Sequence, residues 1–287
     1  MTSHIFGRMT WRGRDLRVSA PDASWFEWLT LFTGLPVQPT PASEGPVVLA
    51  VEDSRHVRVD GRALRSFASE EDLRVWLGLT VSDVLIQRSD FTVLHAAAFL
   101  VGEQAVLVSG PPWSGKSSFA LETRQLGLSV LGDDQVGLDP SSERVFAVPR
   151  PIKRRIRSQA DRAGVSAAAV LARIEDEDVA IEPLGLDTAS ASWLVEGRPV
   201  ALVLQVARHA GPGVRFEVPT PFEATRALLD QMRCYAPEFL PALGECARFL
   251  GRYPIRRVSV GDSETRAAVL EACSIAATET GRLREGR

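Results

Sequence analysis

Residues Gly110-Pro111-Pro112-Trp113-Ser114-Gly115-Lys116-Ser117 match the pattern G-x-x-x-x-G-K-[ST], and their flanks restrict the folds open to this chain. The apolar run AVLVSG precedes them, and a helix-forming stretch follows from Ser117 to about Leu126, with Gly127 at its C-cap position. A strand entering and a helix leaving is the context this pattern requires. The glycines let the backbone curl so that successive N–H groups point inward at phosphate oxygens. The helix N-terminus adds partial positive charge. In such a loop Lys116 reaches the β- and γ-oxygens of a nucleoside triphosphate, and the Ser117 hydroxyl can ligate Mg²⁺. Pro111 and Pro112 remove two N–H donors, but from the first half of the loop, whereas the important donors are those of Ser114 to Ser118. The expected ligand is ATP with Mg²⁺, held by Gly110, Trp113, Ser114, Gly115, Lys116, Ser117 and Ser118.

The rest of the composition narrows the setting. The chain has 287 residues, enough for one large domain or for a small domain leading into a medium one. Hydrophobic residues make up 45%, so a sizeable core can be buried. A net charge of −3 argues against a general nucleic-acid binder. No apolar run reaches the roughly 18 residues needed to span a bilayer. The start, MTSHIFGRMTWRGRD, has scattered arginines and no apolar signal core, so no secretory signal is expected. Cys234, Cys246 and Cys273 are odd in number and far apart, which fits free thiols in a reducing cytosol. A cytoplasmic location is the expectation. His4, His56, His95 and His209 are dispersed, with no zinc-like Cys/His spacing. The sequence leaves the oligomeric state open, a homo-oligomer included.

Two regions follow from the pattern of apolar residues. Residues 1–90 read as a small α+β region, with short strand-like runs at Ile5–Trp11, Leu16–Ser19, Val47–Val51 and Val57–Val59. Asp60-Gly61 is a tight-turn signal between Val57–Val59 and Ala63–Leu64. Gly34 to Pro46 carries four prolines and reads as an exposed loop. Ser69 precedes Leu73, Trp76, Leu77, Leu79, Val84 and Leu85, a spacing that suits a helix with Ser69 as N-cap. From Phe91 to the end, residues 91–287, the pattern is that of an α/β domain. FTVLHAAAFLVG, AVLVSG and LSVLG are apolar strands, and Val200–Ala207 is the best central strand. Thr220 to Met232 reads as a helix, Ile255–Val260 as a strand, and Ser263 to Thr280 as a helix with Gly281 just past its end.

Asp133 and Asp134 follow the strand LSVLG, the first after the loop helix. Two carboxylates at a strand end beside a phosphate loop can divide two tasks, one holding Mg²⁺ and the other accepting the proton of an incoming hydroxyl. Adjacent carboxylates also raise each other's proton affinity, which suits a base near neutral pH. An Asp-rich surface turn is the plainer alternative. The stretch LHAAAFLVGEQAVLVSGPPWSGKSSFALETRQLGLSVLGDDQVGL resembles the catalytic core of the HPr kinase/phosphorylase family. It shares a His in the strand before the loop, G-x-x-x-x-G-K-S, a helix ending in Gly, a strand, and Asp-Asp, carried here by His95, Gly110, Gly115, Lys116, Ser117, Gly127, Asp133 and Asp134. Gly197-Arg198-Pro199 and the strand after it resemble the family's Arg-containing segment. The resemblance covers Leu94–Leu138, with a weaker echo at Gly197–Ala207.

The resemblance implies a P-loop mixed-sheet core of HPr kinase type behind a small α+β N-terminal region. It implies an ATP-dependent kinase acting on a serine hydroxyl of a peptide or protein. In that scheme Asp133 takes the serine proton, Asp134 is an Mg²⁺-linked carboxylate, His95 lies near the phosphates, and Arg198 neutralises the transferring phosphoryl. By residue type alone, His95 reads equally as a satisfied core residue and Arg198 as a surface turn residue. The chain departs from the family at Ser118, where an acid is usual, and in carrying Trp113 in the loop. Its front end is closer in layout to HPr-kinase-like proteins of peptide biosynthesis, including lasso peptide kinases, so a biosynthetic precursor peptide is the implied partner. A kinase of a small hydroxy metabolite and a non-catalytic nucleotide-binding regulator are the competing classes, and the Asp pair favours a kinase over the regulator. The basic run Arg150–Arg157 reads either as an anchor for peptide carboxylates or as a solvated face with Ile152 and Ile156 inward. The acidic run Glu175–Asp178 reads as a solvated loop.

Overall fold

The computed structural model describes residues 4–61, 63–89, 91–156, 159, 165, 169–174, 177–183, 196–234, 239–261 and 264–285. The chain divides into two compact units, Met1–Ser89 with Pro149–Leu194 and Asp90–Val148 with Val195–Arg287. A single boundary near residue 90 therefore does not describe the contacts, because 149–194 groups with the N-terminal residues.

The first unit begins with the hairpin β1 (Ile5–Trp11) and β2 (Arg14–Ala20), closed by Arg12 and Gly13, both at positive φ. That geometry matches the twist of a two-residue hairpin. Helix α1 (Ser24–Thr33) follows. The proline-rich segment after it is tied down. Gln38–Pro39 forms a short edge strand, β3, and the Arg17 guanidinium donates to the carbonyls of Pro41, Ala42 and Gly45. Strands β4 (Leu49–Val51), β5 (His56–Val59) and β6 (Ala63–Ser66) complete a sheet of order β3-β1-β2-β4-β5-β6. Asp60 and Gly61, both at positive φ, turn β5 into β6. Helix α2 (Glu70–Gln87) starts where Ser69 Oγ accepts the Asp72 N–H at 3.1 Å, with three acidic residues in its first turn. Leu73, Leu77, Val81 and Leu85 are buried along one stripe of it.

The second unit takes up the chain at β7 (Thr92–Leu94), β8 (Ala96–Val101), β9 (Gln104–Ser109), α3 (Lys116–Gln125), β10 (Val130–Gly132), β11 (Val136–Asp139) and β12 (Arg144–Ala147). The run FTVLHAAAFLVG is two strands rather than one. It breaks at His95, before which β7 pairs with β11 and after which β8 pairs with β9 and β10.

The chain then contributes β13 (Ile152–Arg155), β14 (Val170–Ile174) and β15 (Glu177–Glu182) to the first unit as a sheet of order β13-β15-β14. Pro149 C=O accepts from Ser82 Oγ and Arg150 pairs with Asp83 at 2.6 Å, both partners lying on α2. The basic run is thus a strand with neighbours of its own, since Arg155 pairs with Glu177 and Ile156 N–H bonds Asp178 C=O. The acidic run correspondingly opens β15 at Glu177 and Asp178 rather than forming a loop there, while residues 175–176 lie outside the described residues.

Back in the second unit come β16 (Arg198–Arg208), β17 (Val214–Glu217), α4 (Pro221–Leu229), β18 (Met232–Cys234), α5 (Phe239–Leu250), β19 (Ile255–Val260) and α6 (Thr265–Glu285). The sheet order is β10-β8-β9-β16-β12-β11-β7-β18, with β19 parallel to β16 and β17 paired to β19. The eleven-residue β16 is its axis, buried from Val200 to Val206. Met232 is in a strand beside β7 and not in the preceding helix, and α6 runs through Gly281 instead of ending before it. Among the described residues, no helix is long and apolar enough to cross a membrane. Among them Cys246 and Cys273 form no disulfide, and burial pushes the Cys273 thiol pKa up.

Candidate functional site

Strand register brings distant residues to one end of the second unit's sheet. Ala96 on β8 faces Ser109, the last residue of β9, and Gln205 on β16 faces the same Ser109. β10 runs antiparallel to β8, Gly132 facing Ala98, so Asp133 and Asp134 continue toward the level of His95. His95, the loop after Ser109, the Asp pair and the last residues of β16 therefore share the edge where β9 and β16 present their C-terminal ends, the end of an α/β sheet at which ligands bind.

The loop has the shape its composition demands. Gly110 sits at φ +157, where an added Cβ would lie 2.5 Å from Val206 C=O and 2.7 Å from Ser114 Oγ. Gly115, the residue before α3, sits at φ +102. The first intrahelical bond is Phe119 N–H to Gly115 C=O at 3.0 Å, which leaves the N–H groups of Lys116, Ser117 and Ser118 without a helical acceptor. Ser114 Oγ is buried and has no hydrogen-bond partner, an uncommon condition for a buried hydroxyl. Trp113 holds φ +71, a strained setting for a bulky residue, and is 60% exposed. Ser117 is half-buried and Ser118 exposed.

Lys116 is only 7% exposed, and its Nζ donates to Gly110 C=O at 2.8 Å and Pro111 C=O at 3.2 Å. Burial pushes its pKa below the ordinary 10.5, and the charges of Asp134 and then Asp133 partly restore it. Both carboxylates thus act on the loop lysine. They differ in setting: Asp133 is buried, whereas Asp134 is partly exposed and its Oδ1 lies 2.7 Å from His95 Nε2. The break between β7 and β8 holds His95 there, and its own N–H bonds Gln231 C=O at 2.8 Å.

Arg198 is not part of this cluster. It starts β16, seven residues before Gln205, about 23 Å back along the strand. There it faces Glu103 at the β8–β9 turn, 3.5 Å away, and Glu196 at 4.0 Å. The expected charge on a transferring phosphoryl cannot come from this residue, because an extended strand separates its two ends. The arginine that does lie at the loop is Arg208, at the other end of β16. A Cβ on Gly115 would fall 2.6 Å from its Nε and Nη2. Its one sequence signal is position: it ends the longest apolar strand, and strand C-termini are where α/β sites form.

No protein-family model matches the chain. No curated protein matches it either. Among solved structures it matches the Hpr(Ser) kinase/phosphatase from Coxiella burnetii, with 12% sequence identity, 67% of this chain and 93% of that one covered, and a TM-score of 0.30.

Proposed function

We propose that the chain binds the phosphates of ATP in the Gly110–Ser117 loop and transfers the γ-phosphoryl group to a serine hydroxyl of a peptide or protein. One observation carries this reading. A buried lysine ammonium and a buried, unpartnered serine hydroxyl converge in a glycine-bent loop at a helix N-terminus, beside two carboxylates. A polyanion would satisfy the lysine, Ser114 Oγ and the first-turn N–H groups together. A regulator that only senses nucleotide has no need of the carboxylates.

The donor set also fits Mg²⁺. Among the described residues no three His, Cys, Asp or Glu are grouped to hold a metal alone. Mg²⁺ is ordinarily shared between one or two carboxylates and substrate phosphates. Ser117 and one aspartate would hold it. Bound there, the ion supplies neutralisation of charge on the β- and γ-oxygens.

Exposure favours a division of labour opposite to the one the resemblance implied. Asp134, paired with His95 and open to solvent, is the carboxylate an acceptor hydroxyl can approach, so the pair takes the proton. Asp133, buried, serves the metal and the loop lysine. The remaining task of the loop is positioning, the main demand of phosphoryl transfer.

The test is a transfer assay with labelled ATP, comparing serine peptides with free hydroxy metabolites, together with calorimetric titration of MgATP into the wild type and Lys116→Ala. Binding lost in the variant and label on peptide serine support the proposal. Label on a metabolite alone moves the acceptor class. Equal binding by both proteins removes the loop from the site.

A further inference from the structure

We propose that Arg208 is a positioning residue for the phosphate loop, clamping Gly115 to the start of the C-terminal helix and so pre-setting the loop for polyphosphate; this rests on the nucleotide reading above. The guanidinium occupies the face of Gly115 where any other residue would carry its Cβ. From there Nη1 donates to Gly261 C=O at 3.1 Å and Nη2 to Thr265 Oγ1 at 3.0 Å. Gly261 directly follows β19, which lies parallel to β16 with Arg208 facing Val260, and Thr265 is the first residue of α6. A single planar side chain thus spans three segments: the turn into α3, the end of β19 and the first turn of α6.

Its chemistry suits that span. The guanidinium is permanently charged, rigid and has donors on several edges, so it can bond two acceptors while lying flat against a peptide. A lysine at this position would keep the charge but lacks the planar fork that lies against the peptide while its donors reach two acceptors. Gly115 is consequently constrained twice, by its positive φ and by the arginine lying against it. The N–H groups that would receive phosphate belong to the residues just after Gly115, so holding Gly115 limits their freedom before ligand arrives. Removing the clamp leaves that ordering to be done at binding, which weakens affinity without removing a ligand contact.

The experiment measures MgATP affinity by calorimetry, and the thermal midpoint without ligand, for the wild type, Arg208→Ala, Arg208→Lys, Thr265→Val and the Ala/Val double variant. We expect Arg208→Ala to weaken MgATP about tenfold or more, Arg208→Lys to recover part of that loss, and Thr265→Val to weaken it severalfold. The double variant should be no weaker than Arg208→Ala, because both changes break one clamp. Wild-type affinity in Arg208→Ala overturns the inference. So does a large Arg208→Ala effect with a silent Thr265→Val, which would make Arg208 a direct phosphate contact. If Arg208→Ala does not fold, Thr265→Val decides, and unchanged affinity there overturns the clamp. A wild type that binds no MgATP refutes the nucleotide reading itself, whereas binding with no effect of these variants refutes only the clamp.

Discussion

A lysine ammonium that is almost wholly buried is poised for an anion and disfavoured without one. In Lys116 burial outweighs the two aspartates, so the charged form is destabilised in the folded protein relative to the unfolded chain. The unfolded state therefore holds more protons in the window between the lowered pKa and 10.5, and stability rises with pH through that window, the penalty being fully present below the lowered pKa. Lys116→Met should accordingly abolish MgATP binding while leaving the thermal midpoint at neutral pH no lower than that of the wild type; a clear drop in the midpoint would show the lysine to be structural. Phosphate oxygens at Nζ would raise the lysine pKa again, so binding takes up protons at alkaline pH and affinity falls as pH rises through the lowered pKa. Calorimetry in buffers of different ionisation enthalpy reads that uptake directly. The carboxylates yield a second prediction. Asp134→Asn and His95→Gln should each lower kcat by on the order of 10²–10⁴, with the double variant little worse than either, because the pair acts as a unit. Asp133→Asn should instead shift the Mg²⁺ requirement. The opposite pattern would return the proton to Asp133.

At the scale of elements, the turn into α3 is the sensitive point. Gly115→Ala combines a left-handed φ of +102 with a Cβ 2.6 Å from Arg208. We expect it to lower stability by about 1–3 kcal/mol in urea unfolding and to weaken nucleotide binding; in an Arg208→Ala background the loss should shrink, since only the φ strain remains. Ser69→Ala, by contrast, removes one cap from α2 and should cost about 1 kcal/mol with no effect on MgATP affinity. These two elements were also the legible ones. Ser69 before acidic residues and an apolar stripe specifies a helix start locally, and the glycine pattern between an apolar run and a polar helix specifies the loop's shape locally. The break at His95 was not legible, because apolar residues on both sides hide a change of strand partner that only the sheet imposes. The sequence pattern places Met232 at the end of a helix for the same reason: its strand conformation comes from pairing with β7. Arg198 and Arg208 show the limit most directly. They bracket one strand, and which end meets the loop depends on the direction of β16 beside β9, a non-local fact.

For the whole molecule, the decisive feature is that residues 149–194 belong with the N-terminal unit although they interrupt the second unit in sequence. The interruption leaves and returns at neighbouring positions, since β12 pairs with the start of β16, Val145 facing Arg198. Replacing 149–195 by a short glycine-serine linker in a fragment of residues 90–287 should therefore leave a folded unit that binds MgATP. The uncut fragment 90–287 should be poorly soluble, because it keeps β13–β15 without α2, to which Pro149 and Arg150 are bonded. Circular dichroism and size-exclusion chromatography of the two fragments check this; an uncut fragment that runs as a well-folded monomer would show that the segment needs no N-terminal partner. The same arrangement sets a clock during synthesis. The first 89 residues leave the ribosome without the segment they pack with, and the intervening stretch Asp90–Val148 takes roughly 3–12 s to make at 5–20 residues per second. The N-terminal unit must wait through that interval with the Ser82–Asp83 side of α2 unpartnered, and it closes before the phosphate-loop unit receives its last strand and helix.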